Sequence, residues 1–274
     1  KEICHSVILS NLERPFAKSI SSYLIFFNEQ SMGNNPIFNV DFRGDTIRGY
    51  SERSAQRMLE GIRGSFAGNK GMQSIFQLGK DGRTLNSIDI NAFIDASSGL
   101  NQDQLTLAGA YLLAINQDAT HVVSVLKRGE TVEPGTEKLI GESTADMFDY
   151  YGGGGINKKY GDNSTFTGIV MDSKSIATHD YKENGNYIPR GPSFGEVIAH
   201  EVLGHGVGWS LGNPVFHQED AIQMSNVYLR SQGTNVYRDG GQHGYGPLDP
   251  KVANDIPQYY KDTKEILKIM RLLR

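Results

Sequence analysis

What limits the possible folds of this chain most is a short helix with a defined start and two histidines on it. Pro192 followed by Ser193-Phe-Gly-Glu196 has the form of a capping box, in which the Ser193 hydroxyl accepts from the third residue's N–H while Glu196 reaches back to the Ser193 N–H. Val197, Ile198, Val202 and Leu203 carry an apolar face through His200-Glu-Val-Leu-Gly-His205, and Gly206 and Gly208 are expected to weaken the helix. Histidines four positions apart lie roughly 40° apart on the helical wheel and can face one ion, whereas five steps separate them by about 140°. A regular helix therefore cannot aim both rings at one metal. One residue taken up by a π-bulge restores the geometry, and Gly204 beside the second histidine is expected to tolerate the altered backbone.

A site of this kind has to be built without thiolates, because Cys4 is the only cysteine and neither an internal disulfide nor a cysteine cluster can form. Catalytic zinc takes three protein ligands and keeps an open position for water. His200 and His205 supply two. Asn213-Pro214 starts a further helix by N-cap and N1 preference, and Val215 through Ser231 carries Glu219, Asp220, Asn226 and Arg230 before Gly233 closes it. Glu219 is the expected third ligand. Asp220 can exchange roles with it, or accept the second N–H of a ligating imidazole, and an acidic pair also reads as solvated surface. Glu201 points along a different helical direction from His200 and is the expected general base and acid. Tyr237, His243 and Tyr245 are candidate donors to a developing oxyanion, with His243 and Tyr245 expected to be catalytic, although loop residues of this kind also read as surface.

The string His200-Glu-Val-Leu-Gly-His205 resembles the His-Glu-x-x-Gly-His signature of the dipeptidyl peptidase III zinc exopeptidases. That resemblance implies that the two histidines bind zinc, that Glu201 activates water, and that a glutamate on a following helix completes the site. It is local. The family's chains are far longer, and its Glu-Glu-x-x-x-Glu second motif is present only as the partial Glu219-Asp-Ala-Ile-Gln223, so dipeptide release is not carried over. Over residues 150 to 245 the chain is also similar to the compact metallopeptidase domains of bacterial effectors and Rhs-type or insecticidal polymorphic toxins, which pair such a helix with a later one bearing an acidic ligand and an Asn-x-x-x-Arg-like stretch, here Asn226 and Arg230. This second resemblance implies a zinc metalloprotease toxin or effector that cleaves a host or target-cell protein. Such a protein is secreted or delivered into that cell as part of a larger toxin or secretion complex. The chain begins with Lys1, so a signal or a larger parent chain is expected ahead of it.

Around the histidine helix, periodicity predicts strands at Tyr23–Phe27 and Ile37–Phe42 and a helix over Ser51–Phe66 with Ser51 as N-cap. It predicts a helical turn or two within 71–78, a turn at Lys80-Asp-Gly82, and strands at Thr84–Ile90 and His121–Leu126. Leu105–Ile115 is apolar enough for the core but of ambiguous period. Residues 152–163, starting with four glycines, are expected to form a mobile loop at the site's rim, and Thr165–Asp172 a strand placed at an edge because Gly168 weakens its centre. The expected architecture is a single α+β domain over 1–274, with the metal-site region at 150–245. It is zincin-like, a small twisted mixed sheet packed on a zinc-binding helix and further helices. Its edge strand pairs with an extended peptide. The amphipathic stretch Lys264–Leu273 is core or a docking surface.

Composition removes several function classes. With 27 Lys and Arg against 31 Asp and Glu the net charge is −4, which lacks the basic footprint of a duplex nucleic-acid binder. An apolar fraction of 38%, a mean hydropathy of −0.41 and no apolar run near the length of a bilayer argue against a membrane span. The glycines of 152–155 lack the spacing and the lysine of a phosphate loop. His5, His121 and His179 have no ligand spacing to any partner and read as solvated or packed, and Trp209 as packing behind the helix. Arg43-Gly-Asp45 is too short a string to carry weight. Two other classes stand beside the protease: a metal-stabilised binding module without turnover, and a transferase with structural histidines. For an ADP-ribosyltransferase, Arg43 would be the strand arginine, but no Glu-x-Glu or Gln-x-Glu follows it.

Overall fold

The computed structural model describes residues 47–136, 154–159, 164–210, 217–242 and 246–261, within a compact unit spanning 44–274. The expected strands at Tyr23–Phe27 and Ile37–Phe42, Arg43-Gly-Asp45 and Lys264–Leu273 lie outside the described residues, as does the part of the single-domain expectation that covers 1–43.

Two sheets and a set of helices make a mixed α+β fold. In the larger sheet, strands β1 (Ile47–Gly49), β2 (Thr120–Leu126) and β4 (Ser164–Val170) run parallel, and β3 (Gly155–Lys159) closes the order β1-β2-β4-β3 by pairing antiparallel with β4. The valines of β2 favour the pleated conformation, and side chains alternate between its two faces. On one face Phe166 and Val170 gather Val122, Ile156, Tyr50 and Val132 into an apolar cluster. The other face carries Thr165 and Thr167, and there Asn157 of β3 reaches the histidine helix. The smaller sheet is antiparallel, in the order β6 (Asn186–Tyr187), β5 (Tyr181–Glu183), β7 (Val236–Arg238).

Helix α1 (Glu52–Gly64) forms as its spacing predicts: Ser51 Oγ accepts from Ser54 N at 3.1 Å, and Ala55, Met58, Leu59 and Ile62 are buried. Helix α2 (Lys70–Ile75) is capped by Asn69, and α3 (Ile90–Ala96) by Asp89. Leu105–Ile115 resolves into α4 (Gln102–Asn116), which starts on a complete capping box between Asn101 and Gln104 and is buried all round. Its lack of a polar face is why its period was unreadable. Tyr111 of α4 meets Phe66 and Phe76 in an aromatic cluster. Helix α5 (Phe194–Ile198) runs without a break into a π-helical segment (Ala199–Gly206) and then α6 (Val207–Ser210), followed by α7 (His217–Ser231) and α8 (Pro250–Ala253). No helix among the described residues is long and apolar enough to cross a membrane.

Four expectations are corrected. Thr84–Ile90 is not a strand: Thr84 and Leu85 make isolated bridges to Arg48 and Leu78, and Ile90 already opens α3. The segment 155–159, expected to be loop, is the edge strand β3, while β4, expected at the edge, is interior because both its sides are paired. The capping box at Ser193 is half formed. Ser193 Oγ accepts from Glu196 N at 3.3 Å, but the Glu196 carboxylate turns inward to accept from Tyr181 Oη at 2.7 Å. Gly206 and Gly208, expected only to weaken the helix, lie within a helical run that continues to Ser210.

Candidate metal centre

A π-helical turn closes between residues five apart, so it stacks on one face what an α-helix would spread around its circumference. From Ala199 to Gly206 the backbone adopts this turn, and the rings of His200 and His205 stand 4.9 Å apart between centroids with their planes at 88°. Both imidazoles are buried. Carbonyls of the wide turn are taken up by a tyrosine pair: Tyr260 Oη donates to Leu203 O at 3.1 Å, and Tyr259 Oη to Leu203 O and Gly204 O at 3.3 and 3.4 Å.

Helix α7 runs antiparallel along this segment. A Cβ built on Gly195 would lie 2.7 Å from the Tyr228 ring, and one on Gly204 would lie 2.4 Å from Ala221 Cα, while His200 Nδ1 meets Ser225 Oγ at 2.9 Å. Gly204 has no positive φ, so its backbone would suit any residue. Its role is the close approach of α7, not the tolerance of unusual backbone that its place beside His205 suggested.

On the α7 side of His200 sits a buried charged cluster that sequence reasoning did not find. Arg238 of β7 donates from Nε and Nη2 to Asp180 Oδ2 at 2.9 and 2.7 Å, and its Nη1 lies 3.1 Å from His200 Nδ1. Burial opposes the guanidinium charge, but Tyr181, Asp180 and Glu196 around it outweigh that and hold Arg238 protonated. Glu196 is itself pushed up by burial, with Arg238 acting against the shift.

Glu201 lies on the side of the segment that faces the sheet edge. A Cβ on Gly155 of β3 would lie 2.7 Å from Glu201 Cγ and 3.1 Å from its Oε1, and Asn157 Nδ2 donates to Glu201 O at 3.1 Å and to Thr167 Oγ1 at 2.7 Å. The carboxylate is thus covered by the backbone of the edge strand. Burial pushes it up to about 8, with Arg238 acting in the opposite direction. Gly155 and Asn157 were missed as site residues. The one sequence signal is the glycine run that ends at Gly155, which suggests backbone freedom, whereas in the fold Gly155 serves close approach.

The acidic pair on α7 is split by its surroundings. Glu219 is half-buried and accepts from Gln223 Nε2 at 2.9 Å. Asp220 is buried, its Oδ2 has no hydrogen-bond partner, and burial followed by the neighbouring Glu219 pushes its carboxyl up to about 7. Neither joins the histidines, since among the described residues no three His, Cys, Asp or Glu side chains form a metal-holding group. Asn226 clamps neighbouring backbone, donating to Arg238 O and Ala253 O at 2.8 and 2.7 Å. Arg230 pairs with Asp103 at 3.0 Å. Tyr237 lies on β7 opposite Lys182. His243 and Tyr245 lie outside the described residues. His121 is buried beside Thr165, with burial lowering it to about 4, and His179 is exposed against Tyr187.

The donor chemistry fits two of a zinc ion's three protein ligands. Two buried imidazoles share one face, a buried carboxylate adjoins the first of them, and Asp220 has an unpartnered oxygen one residue from the Gly204–Ala221 contact. No protein-family model, curated protein or solved structure matches this chain.

Proposed function

We propose that this chain is a zinc-dependent metallopeptidase of zincin-like design, hydrolysing peptide bonds in a protein or peptide substrate. One observation carries the reading: the π-helical segment gathers His200 and His205 on one face and sets Glu201 beneath the open edge of β3. His200 and His205 would hold the ion. Glu219 is the proposed third donor, and Asp220, buried with a free oxygen, is the alternative. Bound zinc lowers the pKa of its water to about 7 and polarises a carbonyl. Glu201, in its carboxylate form, would be the base toward such a water and, once protonated, the acid toward the leaving amine. An extended peptide pairs with the β3 edge, whose only strand neighbour among the described residues is β4. His243 and Tyr245 are the proposed donors to the carbonyl oxygen. The toxin or effector role, delivery into a target cell and membership of a larger secretion complex rest on the motif resemblance.

Glu201→Gln tests the reading, because it removes the base and keeps both histidines. Cleavage is expected to fall by about 10²–10⁴-fold with zinc content unchanged, and cleavage at the wild-type rate would contradict it. A metal-stabilised binding module would instead show zinc-dependent melting and no cleavage of any substrate.

A further inference from the structure

The edge strand β3 directs alternate residues to opposite sides. Val170 N donates to Gly154 O at 2.7 Å, and antiparallel ladders alternate, so Ile156 and Lys158 continue the bonding to β4 while the backbone N–H and C=O groups of Gly155, Asn157 and Lys159 turn to the edge. The same three residues occupy the helix-facing positions, where Asn157 Nδ2 donates to Glu201 O at 3.1 Å and Gly155 lies against Glu201. A strand added to this edge therefore sets the residue opposite Gly155 on the Glu201 side and the residue opposite Lys159 four positions away on that same side. Lys158 and Lys159 are both exposed, and neither forms an ion pair with a carboxylate of the described residues.

We propose that the β3 edge selects acidic extended peptides, with Lys158 and Lys159 as the residues that read the charge. The inference deepens the proposed function by naming its substrate class, and it rests on that function for the peptide's hydrolysis but not for its capture. Pairing is antiparallel, the more stable ladder per residue. In that direction the peptide residues opposite Lys159 and Lys158 precede the one opposite Gly155 by four and three positions. A carboxylate at either place faces an ammonium that has no acid of the described residues to pair with, and opposite charges across two strands favour pairing while like charges oppose it. The whole chain has a net charge of −4, so its overall field does not draw an acidic peptide and the selection is local to these two cations. Lysines on an edge also discourage a second copy of the same strand. A guard alone would turn every strand away, whereas acidic side chains convert that repulsion into attraction for one class of partner.

Fluorescence anisotropy of the full chain, stripped of metal, measures capture without cleavage. The probes are two labelled threonine- and valine-rich octapeptides that differ only in carrying two adjacent glutamates or two adjacent lysines. The glutamate peptide is expected to bind about tenfold tighter, and the order is expected to reverse when Lys158→Glu and Lys159→Glu are combined. Methylating alternate amides of the glutamate peptide should abolish binding in one set and spare it in the other, because only alternate N–H groups face β3. Equal affinities, an order that the double variant leaves unchanged, tolerance of both methylated sets, or no binding of either peptide would overturn the proposal. Cleavage is read separately with zinc restored. A glutamate peptide that binds but is never cut removes the proposed function and leaves the capture standing, whereas two peptides bound alike and both cut remove the charge selection and leave the function.

Discussion

At the scale of single residues, the account turns on carboxyl groups buried where water does not reach them. Burial lifts Glu201 from an ordinary 4.5 to about 8 and Asp220 from 3.8 to about 7. The folded chain therefore keeps protons that the unfolded chain gives up. This contribution to stability is complete below the unfolded values and is lost as pH rises through the folded ones. In urea melts of the metal-free protein, the midpoint is expected to fall between about pH 5 and about pH 8. Glu201→Gln should flatten part of that slope, and a midpoint rising over this range would contradict the burial of both groups. Gly155 supplies a second test. Its added methyl in Gly155→Ala would stand 2.7 Å from Glu201 Cγ and 2.9 Å from Val197 Cγ1. Overpacking of this kind costs about 1–3 kcal/mol, so a lower melting temperature together with impaired cleavage is expected. A variant matching the wild type in both would show that β3 does not press on Glu201.

At the scale of elements, the π-helical segment and α7 form one unit whose spacing is set by Gly204. A Cβ at that position meets the backbone Cα of Ala221 at 2.4 Å, and backbone cannot swing aside as the end of a side chain can. Gly204→Ala is therefore expected to cost about 1–3 kcal/mol in a denaturant titration, and no change would place the two helices further apart than described. The π turn was legible in the sequence because the histidine spacing makes sense as a shared site in no regular helix. Helix α1 was legible as well, since its apolar positions recur on one face behind a serine cap. β3 was not. Gly155-Ile-Asn-Lys-Lys159 has a single apolar side chain, Ile156, to give to the core, while the helix-facing positions are filled by Gly155 and by Asn157, whose amide bonds backbone. No alternation of hydrophobicity marks such a strand. The inward turn of Glu196 was equally hidden, because the capping rule sees only the local backbone and not Tyr181, which arrives from β5.

At the scale of the whole molecule, a mixed sheet with one antiparallel edge strand lies against a helix that carries the candidate ligands, a second helix backs that one, and a buried ion pair between Arg238 of β7 and Asp180 lies beside them. Arg238 and Asp180 join the small sheet to the candidate site, and loss of one partner from such a pair costs about 3–5 kcal/mol. Glu219 of α7, with Asp220 as the alternative, is the proposed third metal donor. A ligand that binds only the folded chain stabilises it by about 2.7 kcal/mol at a hundred times its dissociation constant. Added zinc should therefore raise the melting temperature of the wild type and leave His200→Ala and His205→Ala where they were. Elemental analysis of purified protein asks the central question without any substrate. One zinc per chain is the predicted content, lost when His200 and His205 are both replaced by alanine. A wild-type chain with no stoichiometric metal, or a double variant that keeps it, would contradict the account.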